Sequence, residues 1–477
     1  MREDAHRPRV VIVGTGVDLN MVAFALAQKL KHRNPEITAL DVGGPKPPVL
    51  CSTFSDMAEF NSSFGVSESE LINSIGAGLN FGLLLNGRSD RSPFIFSDSP
   101  YGLMLHKQPF HQLFHLYRQE NSNAKLDDFC LSAVLAKAGR VAPKSENASS
   151  VFSSVNYGYT FLTDRYERFL RAHAVNSQVN FVPANSLELT ETGGKVDSLT
   201  TNNGQVYEAD LFIDCSSERT LIGKREGNRH CAHVIKEDYI PPWQYSHSNE
   251  RLSDPEWPLY AEIHSVPNGF CKRIKYGHST SVENYVFEEE GSSNERAEVK
   301  TTCHAAILRR PWADNCVGIG AAFTNTPNLL PGGYNLIQGQ IFQLLDLWLG
   351  GPVGAASAEI FNQTSVQTGQ HLVDLINIQL TAHPILSSNV RVTDSNHQRV
   401  ELFTSSGAAY ISEDSIVTDQ HWFALLTGLG FEQRGGSLSS TGITSSNVAE
   451  NLNKLKALFQ RAASGAQPYR SWLNATM

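Results

Sequence analysis

Residues 314–338 read DNCVGIGAAFTNTPNLLPGGYNLIQ, and how this stretch is read decides the fold. The apolar run NCVGIG is predicted to be a buried strand turned by Gly318 and Gly320. A loop of Asn, Thr and Pro follows, and Gly332 and Gly333 step into an amphipathic helix. Helix openings of this kind receive anionic or electron-rich cofactor atoms, because the first-turn amides have no partner of their own. Between Gly320 and Gly333 there is no carboxylate, thiol, His or Lys. The stretch therefore has the form of a cofactor cradle without a group that could act on a substrate.

A second cradle lies at the start of the chain. RVVIVGTG at 9–16 is a short β-branched run ending in glycines, MVAFALAQKLKH follows at helical period, and ITALDVGG at 37–44 is another buried strand. This predicts a βαβ unit with a right-handed crossover. Gly14 and Gly16 match the first two glycines of a dinucleotide fingerprint, so the turn Gly14, Thr15, Gly16 and Val17 is expected to approach a pyrophosphate. Leu19 stands where the third glycine would be. A lone GxG is equally compatible with a buried turn, but Asp41 ends the second strand, where an acid can accept hydrogen bonds from a ribose.

A compact NAD domain would continue the βαβ alternation after Asp41. Here the nucleotide fold is expected to resume near Ala209 in ADLFIDCSS and to finish with NCVGIG. A helix from Arg165, a strand VNFVPA and a meander turned at Gly193-Gly194 and Asn203-Gly204 come before that resumption. FAD-dependent monooxygenases are interleaved in this way. The expected fold is therefore α/β, with an FAD-binding lobe from 1–56, 150–225 and 311–350. The remaining 57–149, 226–310 and 351–477 are assigned to a substrate- or partner-side sheet and helical regions. Residues 57–135 read as helical and irregular. FAD is the expected cofactor, and Gly320, Ala321, Gly332 and Gly333 join Gly14, Thr15, Gly16, Val17 and Asp41 as its expected contacts.

Composition bounds the function. The chain has 477 residues and a formal charge of -9, which argues against nucleic acid, since phosphate neutralisation needs a basic face. Seven scattered cysteines without a CxxC fit a reducing compartment better than a disulfide framework or zinc site. The N-terminal residues carry no signal-peptide core and no apolar run reaches membrane-spanning length, so a cytoplasmic protein without a membrane partner is expected.

YTFLTDRYERFLRAHA, EADLFIDCSS and NCVGIGAAFTNTPNLLPGGYNLIQ together resemble the flavin-dependent tryptophan halogenase family up to about Gly350. The resemblance implies a monooxygenase-like fold with FAD in one lobe and an indole pocket in the other. The departures from the family are as informative as the matches. Its halogen-holding lysine is matched by Asn80 in AGLNFGL, and its substrate-deprotonating glutamate by Leu330. The Ser-Thr step that helps bind halide is matched by Gly332 and Gly333. The WxWxIP signature is matched by GFCKRIK, with Phe270, Lys272, Ile274 and Lys275 in its places, and Ala321 replaces a usual acid. An amide cannot form a haloamine, and leucine has no acid–base chemistry. Halogenation is therefore not expected, and no catalytic residue is identified.

A non-halogenating subset of the family is encoded with lysine and glycine oxidases and matures their cysteine-tryptophylquinone cofactor. The pattern of absences resembles that subset. It implies an oxygenase or oxidase that acts on tryptophan in the precursor of a tryptophylquinone-dependent oxidase, using molecular oxygen and an electron donor or flavin reductase. The lost tryptophans and the Gly-Gly step would widen the approach for a protein-bound indole. A flavin-binding assembly factor without turnover and a free aromatic or indole hydroxylase are the alternatives.

Several residues have simpler explanations. His111 and His115 have metal-ligand spacing but no third ligand, so no metal is expected. Lys272 and Lys275 are expected on a solvated strand edge, EEEGSSNERAE at 288–298 in an exposed loop, and Cys271, Tyr157 and Tyr159 in packing. Asp214 is expected to hold a turn near the cofactor.

Overall fold

The computed structural model describes residues 7–43, 48–86, 92–104, 108–225, 232–287, 302–330, 332–408, 417–435 and 444–476. The acidic loop at 288–298 and Cys231 lie outside them. The organising element is the strand Arg9–Gly14, whose residues after Arg9 are all buried. Burial on both faces suits a β-branched run in the middle of a parallel sheet. It pairs in parallel with Glu36–Asp41 on one side and Leu211–Asp214 on the other. The six-stranded sheet runs Trp312–Ala313, Cys316–Gly318, Leu211–Asp214, Arg9–Gly14, Glu36–Asp41 and Asn180–Pro183. Only the short Trp312–Ala313 strand is antiparallel to its neighbour.

The register places Gly14 beside Asp41, Val13 beside Asp214, and Asp214 beside Gly318. Three segments far apart in sequence thus end together at one edge, the carboxyl ends of the strands, where open α/β sheets bind ligands. One expectation needs correcting. VNFVPA already rejoins the nucleotide sheet, pairing in parallel with Glu36–Asp41. The fold therefore resumes before the meander and not near Ala209. Five apolar or small residues cannot by themselves say which sheet a strand joins.

The helix Gly16–Leu30 connects the first two strands and is buried almost all round, Leu19 completely. It lies between the sheet and the helices Thr163–Asn176 and Gly332–Leu347. Phe24 meets Phe64 and His173 edge-on at 5.6 and 5.7 Å. Burying each such leucine or phenylalanine stabilises the fold by about 2 kcal/mol. The meander forms as expected from Leu187–Thr192, Lys195–Thr201 and Val206–Tyr207.

A second six-stranded sheet is dominated by the antiparallel pair Trp243–Glu256 and Gly269–Phe287. Its far side is built by Leu83–Leu85 and Phe94–Phe96, strands that the helical reading of residues 57–135 does not contain. Three-residue apolar runs carry no usable period. The helices expected in that region do form, as Asp56–Ser63, Glu68–Ile75, Phe110–Glu120 and Leu131–Lys137. A three-stranded sheet of Leu50–Ser52, Gly158–Leu162 and Gly78–Asn80 also forms. The C-terminal part is helical, including Ala355–Ala382 and Ser445–Gly465. Among the described residues no helix is long and apolar enough to cross a membrane.

Asp214 is completely buried at the end of its strand. Its Oδ1 accepts from the Ser216 amide and hydroxyl at 2.9 and 2.6 Å, and its Oδ2 from the Leu221 and Ile222 amides, both at 2.9 Å. Burial pushes its carboxyl up, against the pull of these donors. Both oxygens are acceptors, so Asn would turn one of them into a donor facing donors. Asp214→Ala and Asp214→Asn are each expected to lower unfolding stability by about 3 kcal/mol in urea titrations, because buried donors lose their acceptor.

Candidate functional site

The first glycine turn forms as read. Gly16 has φ +66°, in the left-handed region open to glycine, and begins its helix directly. Thr15, at the N-cap, makes no side-chain capping bond, so the first-turn amides are left to other partners. Thr15 and Gly16 are half-buried and Val17 is buried. Val42 N–H donates to the Gly14 carbonyl, which brings the end of the second strand against the turn. In backbone terms this edge suits a dinucleotide.

The side chains around it change that picture. Asp18, in the first turn of the same helix, accepts a hydrogen bond from the Ala321 amide at 3.0 Å. Gly320 has φ +59°, and a Cβ there would lie 2.5 Å from Asp18 Oδ2, so the carboxylate rests against a bare backbone. The Gly320 amide itself donates to Gln340 Oε1 at 2.9 Å. Of the expected contacts in the late cradle, the Gly320 and Ala321 amides are therefore engaged within the protein. Glu167, on Thr163–Asn176, brings Oε1 within 3.3 Å of where a Cβ of Gly16 would be.

Asp41 reaches the expected edge, but its Oδ2 binds Arg171 Nη2 at 2.6 Å. Arg171 Nε also donates to Asn20 Oδ1 at 3.2 Å, and the guanidinium lies 4.5 Å from the centre of the Phe181 ring. Gly332 and Gly333 open their helix as read, and Gly333 is exposed. Next to them Tyr334 hydrogen-bonds the Cys51 thiol. Burial pushes the Tyr334 phenol well up, with Cys51, Asp18 and Glu167 adding to the effect, and burial pushes the Cys51 thiol up to about 12. Neither group offers an anion near neutrality.

Asn80 is buried, and its Nδ2 donates to the Thr53 carbonyl at 3.0 Å. Its Oδ1 and the Ser52 hydroxyl are buried without a hydrogen-bond partner among the described residues. Both residues sit on strands flanking Gly158–Leu162. Leu330 is buried, as are Phe270 and Ile274. The altered signature therefore does not widen an approach at Phe270, which packs edge-on against His383 at 5.0 Å.

Lys272 corrects the solvated-edge reading, since it is 2 % exposed. It lies in the middle of the second sheet, beneath the late cradle. Its Nζ donates to the Asn328 carbonyl at 3.1 Å, with Glu283 Oε1 at 3.8 Å. Tyr285 donates to the other Glu283 oxygen at 2.5 Å. Lys275 is the outward member of the pair and binds Glu256 at 2.8 Å. The WxWxIP comparison drew attention to residue type, whereas the alternation of the strand decides which lysine goes inward.

The packing readings of Cys271 and Tyr159 hold. No group of three His, Cys, Asp or Glu among the described residues could hold a metal ion, His111 and His115 included. Cys271 and Tyr159 are buried, and Tyr159 donates to Glu68 at 2.8 Å. A cavity of about 750 Å³ lined by Arg33, Lys195, Asp210, Arg310 and Asp314 opens at the opposite end of the sheet, away from the glycine turns. Asp18, Glu167, Arg171, Tyr334 and Glu283 were not anticipated at the site. Asp18 and the i,i+4 pair Glu167 and Arg171 left a signal, since each puts charge on a helix face that the βαβ reading turns toward the ligand.

The sequence profile of the tryptophan halogenase family matches residues 9–438. The tryptophan 7-halogenase RebH of Lentzea aerocolonigenes is 24% identical over 391 residues, covering 71% of this chain and 69% of the relative. The tryptophan 6-halogenase ThaL of Streptomyces albogriseolus is 26% identical over 237 residues, covering 45% and 43%. Among solved structures, the flavin-dependent halogenase BrvH of Brevundimonas sp. BAL3 superposes with a TM-score of 0.89 at 19% identity, covering 99% of this chain and 100% of that one. Xcc4156, a flavin-dependent halogenase from Xanthomonas campestris, gives 0.88 at 19%, covering 98% of each. The chain belongs to the tryptophan halogenase family, and the α/β fold expected from the sequence is that of flavin-dependent halogenase structures.

Removing one partner of a buried ion pair strands the other charge. Lys272→Met is accordingly expected to cost about 3 kcal/mol in chemical denaturation. The double variant Lys272→Met/Glu283→Gln should lose less than the sum of the two single changes.

Proposed function

We propose that this member of the tryptophan halogenase family is an FAD-dependent oxidoreductase that oxygenates a tryptophan held in a partner protein. The observation that supports this most is the pair of buried residues at the positions matched to the halogenation machinery. Asn80 is an amide with no titratable ammonium, and Leu330 is an apolar side chain that cannot take a ring proton. The family's flavin-dependent relatives supply the cofactor assignment.

In this reading the Gly14–Val17 turn and the amides at the start of Gly16–Leu30 hold the anionic part of FAD. Asp41, braced by Arg171, faces the ribose. The Gly333–Tyr334 opening flanks the reactive ring. FAD, once reduced by a flavin reductase or another donor, supplies the activation of molecular oxygen. The chain's own contribution is positioning. Asn80 Oδ1, an unpartnered acceptor, is suited to receive an indole N–H, so the lysine position becomes a substrate anchor. Leu330 keeps water from the same face. Gly333, exposed and without a side chain, leaves room for an indole presented by another protein. The precursor of a tryptophylquinone-dependent oxidase fits this demand, because its tryptophan must be oxygenated while still part of a chain.

Lys272 favours a second reading. A buried ammonium beneath the Asn328 carbonyl could hold a halogen donor in place of the family lysine. Given a source of reduced flavin, oxygen and bromide, brominated tryptophan formed by the wild type and lost in Lys272→Met would select it.

The leading reading is tested by co-expressing the chain with a candidate precursor and recording the precursor's intact mass. A gain of oxygen mapped to tryptophan is expected. Asn80→Ala should lower the extent of modification about tenfold, the effect of losing one hydrogen bond to substrate. A precursor of unchanged mass, with FAD bound and reducible, would sink the proposal.

A further inference from the structure

We propose that the Asp18 carboxylate occupies the anion position of the dinucleotide site, so that FAD loads only by displacing it. This rests on the FAD reading above and adds a control on loading to it.

The geometry is that of an internal ligand. Asp18 belongs to the first turn of Gly16–Leu30, the turn whose amides receive no side-chain cap from Thr15. An anion is favoured there, since the helix dipole acts on it. The carboxylate reaches across to the late cradle and takes the Ala321 amide at 3.0 Å. It does so against Gly320, where any Cβ would stand 2.5 Å from the oxygen. One side chain thereby closes the two glycine cradles onto each other.

The charges around it reinforce the competition. Glu167 stands beside Gly16, while the nearby cation, Arg171, is committed to Asp41 at 2.6 Å. An incoming pyrophosphate would bring two more negative charges to a turn already faced by Asp18 and Glu167. It would also have to recover the Ala321 amide from Asp18. Repulsion and competition for the same donor act in one direction. The wild-type protein should therefore bind FAD weakly and exchange it readily, and neutralising Asp18 should tighten binding.

Flavin-fluorescence titration with FAD on the full chain tests this for wild type, Asp18→Asn and Asp18→Ala. Asp18→Asn keeps an acceptor for the Ala321 amide and removes only the charge, which guards against a variant that fails to fold; thermal melts check each preparation. Both variants are expected to bind FAD at least about tenfold more tightly than wild type. Binding only by the variants would support the proposal equally. If wild type binds FAD and neither variant binds it more tightly, the proposal is wrong and the FAD reading stands. If none of the three binds FAD at millimolar concentration, both fall together.

Discussion

The site depends on one buried constraint, the convergence of three parallel strands at a single edge and its locking by Asp214. The register alone brings Gly14, Asp41, Asp214 and Gly318 to the same level. Without the four hydrogen bonds to Asp214, the segment after its strand would carry unsatisfied amides at Leu221 and Ile222. A buried carboxylate that turns the chain by satisfying backbone donors is more directional than apolar packing, because each bond fixes an angle as well as a distance. The early glycine turn, the late cradle and the helix Gly16–Leu30 then have fixed relative positions. Asp18 can reach Ala321 only because they do.

Much of this was legible in the sequence. The βαβ unit, the meander with its Gly-Gly turn, and the helix opening at Gly332 each carry a period or a turn signal within a short window. Asp214 could be read as a turn-holder because an acid followed by Cys-Ser-Ser at a strand end has few other uses. What escaped was set by long-range contacts. The strands Leu83–Leu85 and Phe94–Phe96 are too short for a pattern. Lys272 looked like an edge residue because charge suggests solvent, yet the Asn328 carbonyl that it meets lies far from it in sequence. No local window shows a partner that arrives from another element.

The glycine fingerprint shows how a motif can be right about backbone and silent about charge. Gly14 and Gly16 make the turn that a pyrophosphate needs, and Leu19 fits in the core without a third glycine. A pyrophosphate, however, responds to electrostatics as much as to the shape of the turn. Asp18, Glu167 and Asp41 place three carboxylates around that turn, balanced locally by Arg171. Shape and charge are thus separate properties of this edge, and the glycine motif reports only the first.

The same separation holds on the substrate side. The resemblance implies that the family's chemistry uses an amine and a carboxylate, and this chain buries one residue of each type in its second sheet as the mutually paired Lys272 and Glu283. Lys272 is held in place by the Glu283 carboxylate and the Asn328 carbonyl. Asn80, by contrast, has a desolvated acceptor with nothing to accept from. An unmet acceptor in a buried site costs stability on folding, so it is retained more readily where a ligand satisfies it. Of the two buried polar groups, Asn80 is the one that the described residues leave unsatisfied.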